Sequence, residues 1–75
     1  MYQVYAINHE ETAEFIETYL EKEYAWNTFK VACSAVDCRW AAILNAVTGE
    51  VFVEWSNGCM TIHDKDGNWE DFLFE

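Results

Sequence analysis

The dipeptide Asn57-Gly58 constrains this chain more than any other two residues. Asparagine and glycine both tolerate the positive φ that a two-residue β-hairpin turn demands, and polarity alternates on either side as it does in half-buried strands. Val51, Val53 and Trp55 alternate with Glu50, Phe52 and Glu54 before the turn, and Cys59-Met60-Thr61-Ile62-His63 follows it. A second hairpin reads upstream, where Asn45-Ala46-Val47-Thr48-Gly49-Glu50-Val51 fits a type I turn with Gly49 supplying the positive φ of a bulge. Val36, Trp40, Ile43, Leu44 and Val47 also suit a helical spacing, but the hairpin decides for a strand over 39–46.

The other strong pattern is Asn8 to Tyr24. At about 100° per residue, Glu10, Glu14, Glu17 and Glu21 fall within an arc of roughly 40 to 60°, and Phe15, Ile16, Tyr19 and Leu20 gather opposite them, so the segment predicts an amphipathic helix. Asn8 is a suitable N-cap, and Glu11 three residues later completes a capping-box-like pair. The row of like charges opposes such a helix by roughly 0.2 to 0.5 kcal/mol per pair, and only the first turn recovers part of this from the helix dipole.

Elsewhere the chain reads as strands. Tyr2 to Ile7 alternates, with Val4 and Ala6 on one side and Tyr5 and Ile7 on the other. Ala25-Trp26-Asn27 reads as a turn, and Phe29, Val31, Cys33 and Ala35 alternate with polar or small residues as in a strand. Asp37 and Asp64-Lys65-Asp66-Gly67-Asn68 mark further turns, and Trp69 to Phe74 reads as a last strand. The expected architecture is α+β, with one amphipathic helix packed on an antiparallel sheet of about four to six strands in the order β-α-β-β-β-β, forming a single domain over residues 1–75.

Charge narrows the function. Fourteen Asp and Glu stand against four Lys and Arg, for a formal net charge of -10 and a pI near 4.3. Such a surface repels phosphate backbones and anionic lipid, so direct binding to nucleic acid or a membrane is not expected, and a basic protein surface is the natural partner. The three cysteines, Cys33, Cys38 and Cys59, are odd in number and sparse, as in a reducing cytoplasm. The first residues lack the basic region and cleavage site of a secretory leader, and no apolar run approaches the length of a membrane span.

Metal and catalytic patterns are incomplete, and neither a cofactor nor enzymatic activity is expected. Asp64, Asp66, Asn68 and Glu75 match the first, third, fifth and twelfth positions of an EF-hand calcium loop. Trp69 stands where that loop needs glycine, however, and Asp71 where an aliphatic residue is usual. Cys33-x4-Cys38 with Cys59-x3-His63 supplies four zinc-type ligands without the usual tight knuckle. His9 and His63 belong to no nucleophile motif, and Glu50 and Glu54, two apart in strand parity, read as a solvated pair. Four Trp, four Tyr and five Phe exceed the needs of one small core, so Tyr24, Trp26, Trp55 and Trp69 are candidates for surface anchors.

In size, acidity and its Glu-rich segment the chain resembles the small acidic phage-encoded inhibitors of host defence, the anti-CRISPR and anti-restriction proteins, several of which mimic nucleic acid. The resemblance implies a stoichiometric inhibitor acting in the cytoplasm of a host bacterium on the basic nucleic-acid site of a nuclease or CRISPR effector. Carboxylates about 5 to 6 Å apart along a helix approximate the interval between backbone phosphates. On this reading Glu10, Glu14, Glu17 and Glu21 lead the contact, joined by Glu50, Glu54, Asp64, Asp66, Glu70 and Asp71. The alternatives are an immunity protein or antitoxin neutralising a basic toxin, and a non-inhibitory protein-interaction module.

Overall fold

A computed structural model describes residues 1–9, 14–63, 69 and 72. Its elements are β1 (Tyr2–Asn8), β2 (Glu14–Tyr19), α1 (Lys22–Ser34), β3 (Cys38–Asn45), β4 (Val51–Ser56) and β5 (Cys59–Ile62). The five strands form one sheet in the order β2-β1-β3-β4-β5, antiparallel at every pairing. The α+β class and the strand number agree with the sequence reading, but the helix lies elsewhere in the chain, and the elements run β-β-α-β-β-β.

The expected helix over Asn8–Tyr24 contains the end of β1 and the whole of β2. Phe15, Ile16, Thr18 and Tyr19 are aromatic or β-branched and suit a pleated surface, while a helix would have carried the repulsion along its Glu row. Folding back on β1 gives this segment a continuous antiparallel ladder from Tyr2↔Tyr19 to Ile7↔Glu14. The helix instead occupies the stretch expected to turn at 25–27 and to run as a strand from Phe29 to Ala35. Ala25, Trp26, Phe29, Ala32 and Cys33 fall on one helical stripe, and all pack into or against the core. The period-two pattern through Val31 was coincidental, since Val31 points to solvent.

The core lies between α1 and one face of the sheet. Val4 and Ala6 of β1, Ala41 and Ile43 of β3, and Phe52 and Val53 of β4 meet Ala25, Trp26 and Phe29 of the helix. Ala6 and Ala41 are direct cross-strand partners, and these small side chains leave room for the large rings of α1. The β3–β4 register shifts between Ile43↔Val53 and Leu44↔Val51, which makes Phe52 the extra residue of a bulge. The bulge allows the adjacent residues Phe52 and Val53 both to be buried.

Trp69 and Phe72 close this layer. The Trp69 ring is fully buried, stacked 5.6 Å from Phe52 and edge-on to Tyr2 at 5.5 Å, and Phe72 stacks on Trp26 at 5.4 Å. Lys22 Nζ lies 4.7 Å from the centre of the Trp69 ring, a cation–π contact that ties the start of α1 to this residue. The strand expected over Trp69–Phe74 is not formed at the two residues described there, since Trp69 and Phe72 are both 3-10 helical; the rest of that stretch and the turn expected over Asp64–Asn68 lie outside the described residues.

Both hairpins follow their turn residues. Asn57 (φ +50°) and Gly58 (φ +85°) take the left-handed pair of conformations that joins β4 to β5. In the β3–β4 turn, Asn45 Oδ1 accepts from the Val47 and Thr48 amides at 2.8 and 3.1 Å, and Gly49 at φ +78° donates its amide to the Asn45 carbonyl at 2.8 Å.

Candidate protein-binding surfaces

The strand geometry of β2 redistributes the expected carboxylate row. Glu14 and Glu17 belong to a strand, so the helical spacing that would have aligned them is lost. Glu17 and Glu21 are exposed, with Glu21 as the extended residue just before the first turn of α1. Glu10, Asp64, Asp66, Glu70 and Asp71 lie outside the described residues. Glu50 sits in the β3–β4 turn, and the Phe52 bulge interrupts the alternation that would otherwise have paired it with Glu54. An evenly spaced helical row of carboxylates, the feature that suggested a phosphate ruler, is therefore not formed.

What forms instead is an acidic corner where β2 meets α1. Thr28 Oγ1 donates to Tyr19 Oη at 2.9 Å, which puts Tyr19 on the helix-covered side of the sheet. Glu17 shares its parity, pairs with the core residue Val4 and remains exposed, so it stands beside the helix flank. Glu21 and the exposed Glu23 follow at the helix start, where the positive end of the dipole favours carboxylates. Glu23 was not among the expected contacts because, on a helix over Asn8–Tyr24, it falls on the side of Ile16 and Tyr19 and not on the arc of Glu10, Glu14, Glu17 and Glu21. Once the helix start is known, an acidic first turn is the signal that identifies this residue.

Three apolar side chains are exposed on α1 or just before it. Tyr24 and Val31 are 61% and 74% exposed, and Leu20, in the bend before the helix, is 76% exposed. Tyr24 and Val31 project from the side of α1 opposite Ala25, Trp26, Phe29 and Cys33. Of the aromatic residues considered as anchors, Tyr24 is exposed, Trp55 is half-buried, and Trp26 and Trp69 are core.

The sheet face that α1 leaves uncovered has a different character. Tyr5 and Trp40 meet edge to face at 5.4 Å. Trp40 Nε1 donates to Glu54 Oε2 at 3.4 Å, and His63 Nε2 lies 3.2 Å from Glu54 Oε1. Ala42 is fully buried beneath these side chains, and Ile7, Arg39, Trp40 and Ser56 line a shallow depression of about 280 Å³. Glu54 thus serves as the polar centre of an aromatic patch.

The zinc-type set is dispersed in the fold. Cys33 lies on α1, Cys38 is buried at the start of β3, and Cys59 and His63 lie on or just beyond β5. Among the described residues no group of three or more His, Cys, Asp or Glu is placed to hold a metal ion, and no helix is long and apolar enough to cross a membrane. Burial pushes the Cys33 thiol up to about 12, with Cys38 nearby adding to the effect, and burial followed by the Asp37 charge raises Cys38.

The fold and these surfaces define a two-layer α+β protein with a carboxylate-rimmed helix on one side and an open aromatic sheet face on the other. In comparisons with known proteins, no family model, curated protein or solved structure matches the chain.

Proposed function

We propose that this protein is an acidic binding protein that occupies the positively charged, nucleic-acid-handling cleft of another protein, a nuclease or CRISPR effector, and so inhibits it stoichiometrically. The observation that carries this reading is the surplus of fourteen acidic over four basic residues, combined with three exposed carboxylates, Glu17, Glu21 and Glu23, at one corner. Among the described residues none of those three is engaged by a basic side chain. A surface made only for solubility tends to intersperse both signs, whereas Lys22, the basic residue between Glu21 and Glu23, is turned onto the Trp69 ring. Opposite charges on the partner would steer association, and salt would slow it by roughly 10-fold or more.

The test is inhibition of duplex cleavage by a panel of purified basic nucleases and RNA-guided effectors at 50 mM and at 500 mM NaCl. The expected result is inhibition that saturates at a fixed stoichiometry, weakens at the higher salt and disappears in a Glu17→Lys/Glu21→Lys/Glu23→Lys variant whose circular dichroism is unchanged. A folded variant that inhibits as well as the parent overturns the role of this corner. A non-inhibitory docking module is the second reading, favoured by the Tyr5–Trp40 pair on the uncovered sheet face. Salt-insensitive binding that is lost in Trp40→Ala would establish it instead.

A further inference from the structure

We infer that the partner docks on the outer edge of β2 by adding an extended, basic segment of its own chain to the sheet as a sixth strand. This rests on the proposed function and adds to it the mode of contact. β2 is the first strand in the order β2-β1-β3-β4-β5, so alternate residues along Glu14–Tyr19 turn their N–H and C=O groups away from β1. No backbone group of the described residues pairs with them there. Natural edges are normally blunted by shortness, lysine, proline or a bulge. β5, at the opposite edge, is only four residues long. β2 has six residues, contains neither lysine nor proline, and runs its whole ladder with β1 without the register shifts that mark the β1–β3 and β3–β4 ladders. An open, regular edge of this kind is what β-strand addition uses, with main-chain hydrogen bonds giving affinity and alternate side chains giving specificity.

The two faces of β2 specify the added strand. On the helix side stands Glu17, exposed, and among the described residues no basic side chain engages it. The Thr28–Tyr19 hydrogen bond marks the flank of α1 that faces β2. At 100° per residue Lys30 lies about 160° round the helix from Thr28, toward the far flank, and Lys22 is turned onto the Trp69 ring. A basic residue beside Glu17 on the added strand supplies the opposite charge. On the other face Ile16 is 50% exposed and pairs across to Tyr5, whose ring meets Trp40. An apolar residue beside Ile16 continues that row, so the occupant alternates basic and apolar side chains. A second copy of this chain fits less well. Two β2 strands joined about a two-fold axis at Ile16 or Glu17 set their Glu17 carboxylates diagonally or directly opposite, on molecules each at -10.

The probe is a synthetic peptide of alternating Arg and Val, titrated into the ¹⁵N-labelled protein at 50 mM NaCl. Its control is the same peptide N-methylated at every residue, which keeps the side chains and the charge but cannot donate along its backbone. The largest amide shifts are expected along β2, with hydrogen exchange slowed at alternate residues of that strand. N-methylation should raise the Kd by about tenfold or more, because main-chain hydrogen bonds carry the affinity in this mode. Ile16→Lys and Glu17→Lys, both at exposed side chains, should each weaken binding several-fold and leave the remaining spectrum in place. Equal binding by the N-methylated peptide, shifts centred on Trp40, Glu54 and His63, or binding by neither peptide overturns strand addition. Slowed exchange at the same β2 amides without peptide, growing with protein concentration, assigns the edge to a second copy and overturns the basic occupant. The acidic-binder reading stands or falls separately on salt-dependent nuclease inhibition, which needs no strand addition.

Discussion

The three thiols differ in what surrounds them, and that difference is measurable. Cys59 is exposed on β5, Cys33 is half-buried on the helix, and Cys38 is buried at the start of β3. Only a thiolate is an effective nucleophile, and burial opposes forming one at Cys33 and Cys38. Iodoacetamide at pH 8 is therefore expected to modify Cys59 first, with Cys33 and Cys38 reacting at comparable rates only after denaturation. Peptide mass mapping checks this order, and early labelling of Cys33 would contradict its placement against the core. The folded chain holds the Cys33 proton more tightly than the unfolded chain does. Its contribution to stability is thus fully present below the ordinary thiol value of 9.0 and is lost as pH rises from there towards about 12. A urea midpoint that falls across that window in the parent, and falls less in Cys33→Ala, is the expected result.

At the level of elements, the turns and the helix carry separate predictions. A Cβ on Gly58 would meet nothing within 4 Å, so the cost of Gly58→Ala comes from its φ of +85° alone. About 1 to 2 kcal/mol is expected in urea denaturation, with Gly58→Asn costing less because asparagine tolerates the left-handed region. Val31→Ala should be neutral or stabilising by up to roughly 0.7 kcal/mol, because an exposed helical position rewards alanine. A clear destabilisation would instead favour a strand at Phe29–Ala35. The hairpins were legible because Asn45, Gly49, Asn57 and Gly58 act through their own backbone preferences, which need no knowledge of the rest of the fold. The helix was not legible in the same way. Residues 8–24 satisfy both a helical and a strand pattern, and pairing with β1 decides between them, a non-local contact that periodicity cannot register. Residues 25–33 carry their helical stripe in Ala25, Trp26, Phe29 and Cys33, but the alternation of Phe29, Val31 and Cys33 competed with it until packing chose.

Over the whole molecule, a charge of -10 on 75 residues acts on folding and on binding with opposite dependence on salt. Within the folded chain the exposed carboxylates repel one another, so screening should stabilise it. The β2–α1 corner concentrates this effect, since Glu17, Glu21 and Glu23 are exposed there and among the described residues no basic side chain engages them. Raising NaCl from 20 to 500 mM is expected to increase the melting temperature, and Glu23→Gln should show a smaller increase than the parent. If the same carboxylates steer a basic partner, that addition of salt should weaken the complex while it strengthens the fold. A single salt series read by both thermal unfolding and binding therefore distinguishes the two roles. Opposite slopes place the acidic corner at the interface. A complex that tightens or stays constant as the protein becomes more stable would assign those charges to solvation and leave the contact to the uncharged side chains.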